Sequence, residues 1–125
     1  MGAVPVSSVL NWFTGLPQSS FRITAINEAE IRYGIVRLPE GRKKRELAVL
    51  AEQFLFSVLE PLPFDRLAAL AYAEIAARIE QAGCQIDVPD AQIAAIAKTA
   101  GAAVATRNVD DFEHCGVKLI NPWSA

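Results

Sequence analysis

The chain has 125 residues, 52% of them hydrophobic, and a formal charge of -2 from 12 basic and 14 acidic side chains. That length suits one domain over residues 1–125, the apolar content excludes intrinsic disorder, and the charge excludes a uniformly cationic nucleic-acid binder. No apolar run reaches the roughly 18 to 20 residues of a membrane span, and the first residues carry no basic signal region, so no membrane association and a cytoplasmic location are expected.

Val4 to Thr14 predicts a short helix that closes at Gly15, with Pro17 beyond it. Ser20 to Ile26 reads as a strand, and Asn27 as the cap of a helix to about Leu38, broken by Pro39-Glu40-Gly41. A longer helix over Arg42 to Val58 places Leu47, Leu50, Ala51, Phe54, Leu55 and Val58 at helical spacing. Leu59 to Leu62 is a short strand among prolines, which suits an edge. Asp65 caps the next helix, with Leu67, Leu70, Ala71, Ile75 and Ile79 as its apolar stripe and Gly83 as its stop. Another helix runs from Val88 to Gly101. Ala102 to Thr106 then predicts a buried strand, Val109 to Glu113 at most one helical turn, and Val117 to Ile120 a last strand. Strands alternating with helices mean an α/β fold with a mainly parallel sheet.

The helix that opens Val88-Pro89-Asp90 is apolar on nearly every side, yet carries Asp90 in its first turn. Such a helix belongs in a core, where a carboxylate is costly to keep without compensation. In a parallel sheet, strand ends and the starts of the following helices share one edge, where ligands bind. Glu30, in the first turn after the Ser20–Ile26 strand, Asp90, and Asn108 with Asp111 after the Ala102–Thr106 strand are expected at that edge. Each has a plainer reading alone. Glu30 completes a capping box with Asn27, Asp90 suits any helix start, and Asn108 and Asp111 stabilise a turn. Taken together they are hard oxygen ligands for Mg²⁺ or Mn²⁺, with Arg107 placed to contact a phosphate. Glu74 and Glu113 read as surface charges.

Arg42, Lys43, Lys44 and Arg45 lie in a basic run that begins at Arg37. It reads equally as a solvated helix start and as a phosphate-contacting patch. Cys84 and Cys115 lie in no metal-binding spacing, so free thiols are expected. His114 is the only histidine, which argues against zinc hydrolysis with several histidine ligands. Leu16, Phe21, Tyr33, Phe54 and Phe56 supply more large apolar side chains than one helical layer needs, and predict a partner surface.

Five short motifs occur in one order: Ala29-Glu30-Ile31-Arg32-Tyr33-Gly34, Leu62-Pro63-Phe64-Asp65, Asp90-Ala91-Gln92-Ile93-Ala94-Ala95, Ala105-Thr106-Arg107-Asn108-Val109 with Asp111-Phe112, and Leu119-Ile120-Asn121-Pro122-Trp123. Together, from about Val9 to Trp123, they resemble the PIN-domain ribonuclease toxins of bacterial toxin–antitoxin pairs, of the VapC and FitB type. The resemblance implies a PIN-like three-layer α/β domain and a Mg²⁺- or Mn²⁺-dependent endoribonuclease that acts on RNA. It also implies a homodimer, held inactive by a small antitoxin. It matches the family's helix-borne glutamate to Glu30 and its buried-helix aspartate to Asp90. A further acidic position falls on Asn108, with Asp111 one turn on. The family's opening strand, which carries an aspartate, has no counterpart in Met1-Gly2-Ala3-Val4-Pro5, and no acid precedes Glu28. With that strand and its acid lacking, feeble, Mn²⁺-favouring RNA cleavage or none is expected of these 125 residues. One alternative is a shortened, non-catalytic member of the fold that binds antitoxin or dimerises. Another is a small nucleotide-binding domain, weakened by the lack of any Gly-rich phosphate loop.

Overall fold

The structure, a computed structural model, describes residues 22–58, 60–105, 112 and 115–120. The chain divides into two compact units, Met1–Leu62 and Pro63–Ala125. The first contains helices α1 (Ala25–Val36) and α2 (Arg42–Ser57). The second contains α3 (Arg66–Gln81), α4 (Val88–Ala100) and the short strands β1 (Val104–Ala105) and β2 (Leu119–Ile120).

In the first unit, α1 starts at a reciprocal cap. The Thr24 hydroxyl accepts from the Asn27 N–H at 3.0 Å, and the Asn27 side-chain oxygen accepts from the Thr24 N–H at 2.8 Å. Two backbone donors at the helix start are thereby satisfied. The same segment pairs with the chain returning from α2 through a parallel bridge between Thr24 and Leu62, with bonds from Ala25 N to Leu62 O and from Leu62 N to Ile23 O. Ile23, Ile31 and Ile35 then bury against Ala51, Phe54 and Val58.

In the second unit, the Asp65 carboxylate accepts from the Ala68 N–H at 3.0 Å and starts α3. Pro89 occupies the first turn of α4, where a missing N–H costs nothing. Gly101 ends that helix in the left-handed conformation, φ 67°, as the residue without a Cβ does readily. Ala71, Ile75 and Ile79 of α3 pack with Ala94, Ala95 and Ala97 of α4, together with Val104, Phe112 and Cys115. Alanines along α4 leave no side-chain bulk to hold neighbours away, so they can approach its backbone closely. β1 and β2 run parallel, Val104 opposite Leu119 and Ala105 opposite Ile120.

The four helices and the parallel sense of the pairings agree with the sequence, but several details differ. The strand expected over Ser20–Ile26 is, among the described residues, a single bridge at Thr24, because the Thr24 cap turns the chain into α1 at Ala25. Asn27 is therefore the third helical residue rather than the cap. Glu30 lies in the second turn and takes no part in the capping box. Of the strand expected over Leu59–Leu62, only Leu62 pairs among the described residues, and Leu59 lies outside them. Of the expected α3 stripe, Ala71, Ile75 and Ile79 are buried, but in its first half Ala68 is buried instead, and Leu67 and Leu70 are exposed. Phe54, expected on a partner surface, is core; Tyr33 and Phe56 are exposed as expected. The helix expected over Val4–Thr14, and Leu16 and Phe21, lie outside the described residues, as does most of the Val109–Glu113 turn.

Thr24 closes the α1 cap with its side chain but pairs with Leu62 through its backbone. Thr24→Ala is therefore expected to destabilise the protein by about 1 kcal/mol while leaving the fold intact. Urea unfolding checks this, as a lower midpoint with an unchanged slope.

Candidate active site

Asp90 is the third residue of α4 and is 7% exposed. Ala91, Ala94, Ala95, Ile96 and Ala97 of the same helix are also buried, so α4 is a core helix with one acid at its start. The helix favours that acid, because the N-terminal end carries positive potential and its free N–H groups point toward anions. Cys115 registers the charge of Asp90. Burial, with Asp90 adding to it and Arg78 opposing, pushes the Cys115 thiol up to about 11. The thiol therefore stays protonated at neutral pH. Both cysteines are free, as the sequence indicated: Cys84 exposed, Cys115 buried.

Glu30 belongs to the first unit, on α1. Much of its surface is exposed, yet the protein around its carboxyl withholds enough water to raise its pKa above the ordinary value of 4.5. Neighbouring charges are already committed: Arg32 pairs with Glu28 and with Glu52.

The basic run divides in two. Arg42 pairs with Glu46 at 2.8 Å, and Lys44 pairs with Glu40 at 2.6 Å. Lys44 also donates to the Val36 carbonyl at 3.1 Å, which satisfies an acceptor at the end of α1. Lys43 and Arg45 are exposed and form no ion pair among the described residues. The solvated-face reading thus describes Arg42 and Lys44, and the open charges are Lys43 and Arg45. Arg107, Asn108 and Asp111 lie outside the described residues, as does His114. Among the described residues no three His, Cys, Asp or Glu side chains form a group able to hold a metal.

The family model of the PIN domain matches residues 6–118. The chain belongs to the PIN-domain family. Within it, this PIN domain is a toxin of the VapC and FitB type. It is 34% identical to a VapC ribonuclease, Y4jK, of Sinorhizobium fredii, over 97% of this chain and 88% of that protein. It is 35% identical to Toxin FitB of Neisseria gonorrhoeae, over 95% of this chain and 87% of that protein. The crystal structure of FitAcB from Neisseria gonorrhoeae matches at a TM-score of 0.83 and 35% identity, over 95% of this chain and 87% of that one. The fold is therefore a PIN-like α/β domain. Met1-Gly2-Ala3-Val4-Pro5, where the family's opening strand has no expected counterpart, lies outside the described residues.

The raised pKa of Glu30 gives a signed test in this PIN domain. Folding disfavours its charged form, so the carboxylate costs stability above its unfolded pKa and costs nothing once pH falls below both values. In EDTA-treated protein, Glu30→Gln is expected to raise Tm at pH 7 by no more than about 4 °C, because the side chain is largely exposed. Near pH 3.5 the two melting curves should coincide. A variant that melts lower at pH 7 would contradict the assigned desolvation.

Proposed function

We propose that this PIN-domain toxin is a Mg²⁺- or Mn²⁺-dependent endoribonuclease, a cytoplasmic homodimer restrained by a small antitoxin. The observation that carries the reading is Asp90, a carboxylate buried in the first turn of an otherwise apolar helix. Likeness to a protein named a VapC ribonuclease supports the reaction, and likeness to the FitAcB structure supports an antitoxin partner.

The donor chemistry fits a hard divalent cation. Carboxylates and an amide are oxygen donors, which such an ion prefers. Asp90 and Glu30 are the carboxylates we assign to the metal, with Asp111 as support and Asn108 as a polar group of the same site. Bound there, such an ion lowers the pKa of a water and neutralises charge on a phosphodiester under in-line attack. The protein's part is positional. The α4 core holds Asp90 rigidly, and Glu30 becomes a ligand only after losing a proton that it keeps to higher pH than an ordinary glutamate. Arg107 and the Arg42–Arg45 run, with Lys43 and Arg45 the open charges, supply phosphate contacts.

Cleavage of single-stranded RNA, followed with and without Mg²⁺ or Mn²⁺, tests this. Asp90→Asn is expected to lower the metal-dependent rate by about 100-fold or more, since a displaced ligand also misplaces the attacking water. Cleavage that survives Asp90→Asn, or that proceeds equally in EDTA, would overturn the assignment.

Leu67 and Leu70, three residues apart on one face of α3, are 64% and 63% exposed. We assign this face to the contact with a second copy, where two leucines would otherwise face water. The double variant Leu67→Asn, Leu70→Asn is expected to shift the protein from dimer to monomer by light scattering, with Tm of the monomer unchanged. An unaltered dimer would remove α3 from the interface.

A further inference from the structure

Two cations in the second unit meet over a glycine. A Cβ built on Gly116 would lie 2.8 Å from Arg78 Nη1 and 3.9 Å from Lys98 Nζ. The two charged nitrogens are therefore within about 7 Å of each other, a gap one phosphodiester group can span with an oxygen toward each. Arg78 is in the last turn of α3 and Lys98 in the last turn of α4, twenty residues apart in sequence. Both side chains are exposed, and neither forms an ion pair among the described residues. Most other cations of α1 and α2 with a close acid use it: Arg32, Arg42 and Lys44 are all paired. Gly116 itself has φ 71° and carries no side chain, so the guanidinium rests directly over its backbone.

We propose that Arg78 and Lys98, converging over Gly116, form a clamp for one backbone phosphate of single-stranded RNA, on the same unit as Asp90. The clamp rests on the nuclease reading above and deepens it. Like charges held this close repel until an anion lies between them, and a phosphodiester is the anion that an endoribonuclease meets in every substrate. Its position suits the chemistry. Cys115, the residue before Gly116, packs in the buried cluster with Ala94, Ala95 and Ala97 of α4, the helix that Asp90 opens and Lys98 closes. A phosphate held there fixes the register of the strand without reading its bases, as backbone contacts do. The side chain of Arg78 offers two parallel donors, and that of Lys98 a point charge.

The test measures binding of a fluorescent single-stranded RNA across a range of KCl concentrations, in an Asp90→Asn background so that no cleavage intervenes. The double variant Arg78→Gln, Lys98→Gln is expected to bind several-fold more weakly, with a slope of log K against log salt shallower by about 1. Arg78→Lys should recover most of the slope. Arg66→Gln, an exposed arginine at the other end of α3, should leave it unchanged. Parent protein that binds RNA with the same slope as the double variant would overturn the clamp and leave the nuclease reading standing. Parent protein that binds no RNA at all would overturn both. Unchanged RNA binding with loss of the dimer would overturn the clamp in favour of a partner's carboxylate.

Discussion

Keeping a carboxylate inside an apolar helix is the constraint around which the second unit is arranged. Burying an acid costs several kcal/mol unless its charge is compensated, and an uncompensated one simply takes up a proton. Asp90 is placed where compensation is built into the backbone, three residues into α4, at the positive end of the helix. The remainder of the helix must then be held without polar anchors. Ala94, Ala95 and Ala97 do so through close approach to Ile75, Ile79 and Ala71 of α3. Alanine suits this because it loses no side-chain freedom on burial and has high helix propensity. Larger residues would bury more area but push α3 away from α4 and loosen the turn that carries the acid.

Much of this was visible in the amino-acid order. Asp65, Gly83 and Gly101 bound their helices for reasons that depend only on local chemistry, and the structure places caps and left-handed glycines at those points. Asp90 stood out because its helix has almost no other polar residue to explain it. The start of α1 was less legible. Thr24 and Asn27 are both good caps, three residues apart, and only the pairing of Thr24 with Leu62 shows which one ends the extended segment. The first half of the α3 stripe is less legible for a related reason. Leucine outranks alanine in any judgement of burial, yet the neighbouring alanines of α4 admit a face with Ala68 and Ala71 and leave Leu67 and Leu70 outside.

Groups assembled by tertiary contact were the least legible. Arg78 and Lys98 each look like an ordinary charge near a helix C-terminus, where cations are common because they complement the helix dipole. Nothing in their spacing brings them together; the turn at Gly116 does. The basic run between Arg37 and Arg45 shows the converse. It drew notice as a cluster, but Lys44 closes the end of α1 and Arg42 pairs along its own helix, so much of that charge has structural work. Density of charge in sequence is therefore a poor guide to charge available for a ligand. What matters is which cations lack an acid once the chain is folded.

The same logic connects the acid to its surroundings. Burial and the charge of Asp90 together raise the Cys115 thiol, so the two groups share one neighbourhood. Arg78, acting on Cys115 in the opposite sense to Asp90, supplies positive charge near the acid without forming an ion pair among the described residues. Asp90 thus sits at the positive end of α4, in the same neighbourhood as the Arg78 cation.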